Sequence, residues 1–283
     1  MDRAGASGLF CTRREVRRVS EPDFYRRFHP LTSHPFDRED CGETPPCSAL
    51  RPYVRCFWGP VAQKPCLVVP DACADIIIRM DDGRIHMAFC PVDNTPYMTG
   101  WQHSCMFGVR FYFWALPWWT DGPFSEEAFP DLRSYLSREG FVEADHVRRI
   151  RLMEAYLLRR MENKRVEGAL LDGVDYLLRS HGRVQAKDAA VHAAVSLRTL
   201  ERLFRARLGL SPKEAAEVIR YQTLWRRSLA PEGFDVQEQV EALGFCDQAH
   251  LLNTFRRYHG LPLREAVARA TNVAFFQDSG TGL

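Results

Sequence analysis

Two short stretches of this 283-residue chain carry side chains suited to gripping a polyanion. In the first, Ser196-Leu197-Arg198-Thr199-Leu200-Glu201-Arg202-Leu203-Phe204, helical spacing gathers Leu200, Leu203 and Phe204 on one face. Arg198, Arg202 and Arg205 are left on the other. In the second, Asp247-Gln248-Ala249-His250-Leu251-Leu252-Asn253 leads to Phe255-Arg256-Arg257, with Leu251, Leu252 and Phe255 on the shared apolar face. Ser196 and Asp247 are good N-caps for the two helices. Each stretch follows a short helical segment and a tight turn, and ends at Gly-Leu: Gly209-Leu210-Ser211-Pro212 and Gly260-Leu261-Pro262. A helix with one side packed and arginines outward can lie in a major groove.

Other side chains point to other chemistry. Nine cysteines, an odd number, cannot all pair within one chain. No C-x-x-C occurs, so the spacing of a structural zinc site is missing. Cys56, Cys73 and Cys90 fall in or beside expected strands. They are either buried packing thiols or a thiol-redox or soft-metal sensor. Asp71 and Asp75 flank Cys73, and a turn in which carboxylates cap backbone N–H groups is preferred there to a metal site. Trp58, Trp101, Tyr112 and Trp114 either line an apolar effector pocket or fill a core. There is no G-x-S-x-G, Walker glycine loop or H-E-x-x-H, and the histidines are scattered. No enzymatic activity, metal or cofactor is expected.

The elements that must position these groups fall into blocks. Residues 1–22 are small, polar and Arg-rich and read as a mobile arm. From 23 to 130 the text is aromatic and rich in turns. Apolar runs at Tyr53–Trp58, Cys66–Val69, Ile76–Ile78 and Met106–Leu116 read as strands, with an Asp82-Gly83 hairpin turn after the third. Residues 131–165 read as a helical linker. Val147, Ile150, Met153, Tyr156, Leu157 and Met161 form one apolar face, facing either the core or a second protomer. From 166 to 270 the chain is helical throughout, with helices expected at 186–194, 196–208, 212–229, 236–243 and 247–259. The tail, 271–283, is expected to fray. Lys and Arg number 38 against 36 acids, so a polyanion partner must be argued from local charge and not from the +2 total. No apolar segment is long enough for a signal peptide or a spanning helix, so a soluble cytoplasmic protein with reduced thiols is expected.

From about Glu167 to Ala270 these residues resemble the AraC/XylS-type transcriptional regulators. The resemblance rests on S-x-R-x-L-x-R-x-F over Ser196–Phe204, on Gly209-Leu210-Ser211-Pro212-Lys213-Glu214 and on Arg220. It rests equally on Gly244-Phe245-Cys246-Asp247-Gln248-Ala249-His250 with Phe255-Arg256-Arg257. It implies two helix-turn-helix units joined by a long helix. The implied base-facing positions are Leu197, Arg198, Glu201 and Arg202 in the first unit and Gln248, Ala249, His250 and Asn253 in the second, with Arg205, Arg256 and Arg257 beside them. Arginine there suits guanine, glutamate suits cytosine, and Gln or Asn suits adenine. The chain departs from the family at Ala194, where a turn glycine is usual, at Val240 and Asn253, and at Pro262, which comes one place early. Phe24–Leu136 resembles, more loosely, a cupin-like β-barrel sensor domain, through Phe24–Pro30, Leu50–Trp58, Val69–Ile77 and Phe107–Phe111. The expected whole is an α+β multidomain bacterial regulator, a β-barrel followed by an all-α DNA-binding domain. Its implied partners are an operator duplex, a small effector, RNA polymerase and a second copy of the chain.

Overall fold

The computed structural model describes residues 23–31, 42–59, 67–98, 106–161, 164–230 and 233–278. The arm and Trp101 lie outside the described residues. The N-terminal region is β-rich: β1 (Glu43–Thr44), β2 (Val54–Trp58), β3 (Leu67–Val68), β4 (Cys73–Asp81), β5 (Arg84–Cys90), β6 (Tyr97–Met98) and β7 (Met106–Tyr112). Asp82 and Gly83 both take positive φ, 48° and 75°, as a two-residue hairpin turn requires, and they set the β4–β5 register at Asp81 opposite Arg84. Pairing among the described residues gives an antiparallel five-stranded sheet, β1-β2-β7-β4-β5, and a separate β3-β6 pair. The strand expected to run to Leu116 stops at Tyr112. Phe113–Trp118 is a 3-10 turn containing Pro117, which has no N–H for a ladder.

Side chains alternate across the sheet, so its two faces differ. Phe57, Ile76, Ile78, Phe107, Val109 and Phe111 enter the main core, whereas Cys56, Trp58, Ile77 and Met106 form a small cluster of their own. The Trp58 indole lies flat over Gly108, where a Cβ would come within 1.9 Å of the ring, so only glycine fits. Helices α1 (Leu132–Arg138) and α2 (His146–Met161) follow. Phe141, in the loop between them, packs edge-on to Phe107 at 5.3 Å, and Trp119 donates to the Leu157 carbonyl at 3.1 Å. The α2 stripe Ile150, Met153, Tyr156 and Leu157 is buried in its own chain, and Val147 is left exposed. That stripe is therefore occupied and offers no surface to a second protomer.

The helical half comprises α3 (Gly168–Arg179), α4 (Ala186–His192), α5 (Leu197–Leu208), α6 (Pro212–Ser228), α7 (Val236–Leu243), α8 (Gln248–His259) and α9 (Leu263–Asp278). The chain does not leave helix at Ala270, because no glycine or proline interrupts it before Gly280 and α9 continues to Asp278. Helix α6 is buried nearly all round. It packs against α3, α5, α7 and α8, which makes it the spine of this half.

Candidate nucleic-acid interface

Two units flank the α6 spine, α4-turn-α5 and α7-turn-α8. Local chemistry fixes the start of each helix. Ser196 Oγ accepts the Thr199 N–H at 3.1 Å, and Asp247 Oδ1 accepts the His250 N–H at 2.7 Å. Asp235 caps α7, and Ser211 and Glu214 form a reciprocal capping box on α6. The two turns differ in the residue type that takes the left-handed position. Gly244 takes φ 68° in the second unit; in the first, Ala194 is held in the same left-handed region at 53°.

The inward faces are closed. Leu200, Phe204 and Leu208 are buried on α5, and Leu251, Phe255, Tyr258 and His259 on α8. His259 is clasped by Tyr221 (2.8 Å to the hydroxyl) and stacks on Phe255. Leu252, expected inward, is 39% exposed, because a helix of this width buries only one stripe against α6. Arg220 sits 4.7 Å over the Phe245 ring and so ties α6 to the second turn.

The outward faces carry every anticipated contact residue: Leu197, Arg198, Glu201, Arg202, Arg205, Gln248, Ala249, His250, Asn253, Arg256 and Arg257 are all exposed. They are not equally free. Arg205 pairs with Glu214 at 3.1 Å, and Arg257 pairs with Glu217 at 2.9 Å and lies over Tyr258. Gln248 donates to Gln237, and His250 accepts the Cys246 N–H. The guanidiniums of Arg198, Arg202 and Arg256 have no ion pair among the described residues. Two unpaired cations one helical turn apart on α5 make a face ready for an anionic groove.

Residues 189–269 match the family described as a helix-turn-helix domain, and residues 42–128 match a domain of unknown function, DUF6597. An AraC-type DNA-binding-domain protein from Chromobacterium violaceum is similar at 24% identity over 36% of this chain and 91% of its own, with a TM-score of 0.34. The C-terminal region is a helix-turn-helix domain. ToxT from Vibrio cholerae is also similar, at 9% identity over 77% of this chain and 93% of its own, TM-score 0.38; ToxT of strain O395 gives 11%, the same coverage and 0.37. No curated protein matches in sequence.

The β-rich region is docked on the helix-turn-helix half at three places. Gln222 of α6, buried, accepts the Leu31 N–H at 2.8 Å and donates to the Leu31 and Pro70 carbonyls at 3.1 and 2.6 Å. Arg207, at the end of α5, does not join the outward arginines. It is 10% exposed and reaches Asp121, Glu167 and the Thr120 carbonyl. Gly260, which ends α8, lies against Pro96 and Leu67. The β-rich region thus touches the C-terminal ends of both outward-facing helices and the spine between them. Sequence reading missed this contact set. A buried glutamine among the apolar positions of α6 was the one signal it offered.

The aromatic and thiol candidates take structural places. Trp114 is fully buried, stacks on Tyr112 at 4.3 Å and donates to the Pro52 carbonyl. Trp58 donates to Asp75 at 2.9 Å. All three side chains are buried, but Tyr112 and Trp114 belong to the main core and Trp58 to the small cluster on the other side of the sheet. Cys56, Arg110, Asp75 and Cys90 form one row across β2, β7, β4 and β5. Arg110 binds Asp75 through both carboxylate oxygens, 3.1–3.2 Å, with Asp71 at 3.7 Å. Asp71 also accepts the Cys73 N–H at 2.9 Å, the turn role expected of it.

Burial pushes the Cys56 thiol up to about 12, that of Cys90 to about 11, and that of Cys73 well above its ordinary value. Neighbouring carboxylates add to each shift. At neutral pH all three are protonated and poor nucleophiles, which argues against a thiolate sensor built on them. No group of three or more metal-ligating side chains occurs among the described residues, and no described helix is long and apolar enough to cross a membrane.

Proposed function

We propose that this chain is an AraC-type transcription regulator that reads an operator with two helices, α5 and α8, and that its N-terminal region adjusts their placement in response to a small effector. Arg198 and Arg202 would contact base edges in one major groove, with Glu201 between them. Gln248, His250 and Asn253 would serve the next groove. Arg205, Arg256 and Arg257 would hold phosphates, since pairing with Glu214 or Glu217 positions two of them beside the recognition face.

The observation that carries this reading is the arrangement of the two helices. Both present their polar sides to solvent while their C-terminal ends rest on the β-rich region. An effector that favours one arrangement of that contact shifts the population of DNA-competent molecules. Footprinting of the full chain on the DNA flanking its gene is expected to protect two segments on one face of the duplex, about 34 Å apart. Protection of a single segment would refute the two-helix reading. In binding titrations Arg202→Ala should cost about 1–3 kcal/mol at one base pair. An equal loss on every sequence would make Arg202 a phosphate contact instead.

A further inference from the structure

The first turns of α6 reach both outward-facing helices, and each carries a carboxylate aimed at one of them. Glu214 takes Arg205 of α5 at 3.1 Å, and Glu217 takes Arg257 of α8 at 2.9 Å. The second contact is the more developed. Glu217 Oε2 accepts from Arg257 Nη2 and from the Tyr258 hydroxyl, the latter at 2.8 Å. Arg257 Nη2 also donates to that hydroxyl at 2.9 Å, which closes a triangle. Burial first, then the bond to Glu217, raises the Tyr258 hydroxyl to about 12, so at neutral pH it keeps its proton and donates. The other Glu217 oxygen faces the Lys213 ammonium at 3.9 Å. Glu217 is half-buried, whereas the side chains of Lys213 and Arg257 are 79% and 59% exposed. Arg257 uses Nη2 inside the triangle. Its Nε and Nη1 groups have no hydrogen-bond partner among the described residues. Two cations thus share one carboxylate, and the cluster keeps a net positive charge.

We propose that Lys213 and Arg257 form a seat for one phosphate of the operator backbone, and that Glu217 is the positioning residue that builds it. The proposal rests on the operator reading above and adds to it a contact made by the spine itself. Without Glu217 two like charges on long, flexible stems would repel each other and sample many rotamers. With it, one ammonium and one guanidinium are held beside a common anion, and their remaining donors are free for a charge-assisted bond to phosphate oxygen. Glu214 builds no such seat. Its Oε2 is already taken by the Ser211 N–H and hydroxyl at 2.7 Å each, and Arg205 is the one cation paired with it among the described residues. Connectivity places the seat: α6 begins just after α5 ends, and Glu217 holds the C-terminal half of α8. The phosphate it serves therefore lies between the two major-groove segments. A plain charge argument gives the opposite sign for Glu217, because an acid beside a polyanion repels it and its removal should tighten binding.

The test is titration of the full chain against the duplex it protects in footprinting, repeated over a series of salt concentrations. Each phosphate contact adds about 0.9 to the slope of log affinity against log salt. Lys213→Gln and Arg257→Gln should each lower that slope by up to about one contact and weaken binding about fivefold near physiological salt. Glu217→Gln keeps an acceptor for the Tyr258 hydroxyl and loses only the charge. It too should weaken binding and lower the slope, and in the Arg257→Gln background it should weaken binding no further. Tighter binding by Glu217→Gln, an unchanged slope in it, or an equal loss with and without Arg257 would each overturn the proposal. Duplexes with single phosphates replaced by methylphosphonate separate this role from a general loss of folding. The parent chain should be sensitive to one such replacement between the two protected segments. Glu217→Gln should lose that sensitivity and still protect the segment read by α5; a parent chain insensitive throughout that interval has no seat. Unchanged slopes in Lys213→Gln and Arg257→Gln, with both segments protected, remove the seat and leave the two-helix reading standing. A parent chain that protects no segment removes the operator reading and the seat with it.

Discussion

Ala194 works against its backbone. Its left-handed φ of 53° is a conformation that costs an L-residue about 1–2 kcal/mol. The helix-turn-helix geometry imposes it, because α4 and α5 must cross over a short connection. Ala194→Gly removes that strain at a flexibility cost of about 0.5–1 kcal/mol. A net gain of up to about 1 kcal/mol in urea denaturation is expected. The reverse change in the second unit, Gly244→Ala, should destabilise, since the new Cβ would come within 2.9 Å of the Arg183 side chain as well as sit at φ 68°. If both substitutions proved neutral, the two turns would not be held as described.

At the scale of the element, caps decide where the recognition helices begin and hence where their side chains point. Asp247 Oδ1 satisfies an N–H that would otherwise lack a partner in the first turn of α8, and its charge complements the helix dipole. Asp247→Ala should cost about 1 kcal/mol of stability, read by chemical denaturation. It should also raise amide exchange in the first turn of α8 while leaving that of α5 unchanged. Exchange that rose equally in both helices would show the cap acting on the whole fold and not on its own element. The same scale explains α2. Its apolar stripe is legible in the sequence at 3.6-residue spacing, but periodicity cannot say what covers a stripe. Burial of Met153, Tyr156 and Leu157 against the sheet region answers that from outside the helix.

At the scale of the molecule, Gln222 joins the two halves with three hydrogen bonds, all to backbone. Gln222→Ala strands the Leu31 N–H and two carbonyls in a buried place, so a loss on the order of 2–3 kcal/mol is expected. Limited proteolysis should then cut near Leu31 and Pro70 sooner than in the parent protein. Asp71 neighbours this contact through Pro70. Burial raises its carboxyl to about 7, against the opposing pull of Arg110, with Asp75 and Asp93 adding to the rise. A value raised by folding means that the folded state holds the proton more tightly. The stabilisation is therefore full below the ordinary carboxylate range and is lost as pH rises through about 7. The difference in unfolding free energy between the parent and Asp71→Asn should change in that direction from about pH 5 to about pH 8. A difference independent of pH would show Asp71 ionised throughout.

The sequence by itself determined the second half of this protein almost to the residue. The helices expected at 196–208, 212–229, 236–243 and 247–259 form at Leu197–Leu208, Pro212–Ser228, Val236–Leu243 and Gln248–His259. Ser196, Ser211 and Asp247 cap as their types suggest, and the Asp82-Gly83 turn sets its hairpin. These signals are local: a cap, a turn and a 3.6-residue period are each complete within a few positions. What tertiary structure decided is what local text cannot hold. It turned Arg207 inward to Asp121, though its type and position matched its outward neighbours. It stacked Tyr112 on Trp114, two positions on, within the core. It buried Cys56 and Cys73 and half-buried Cys90, each near carboxylates. It also brought Arg257 of α8 to Glu217 of α6, 40 residues apart, a meeting that depends on how the two helices pack and not on the composition of either.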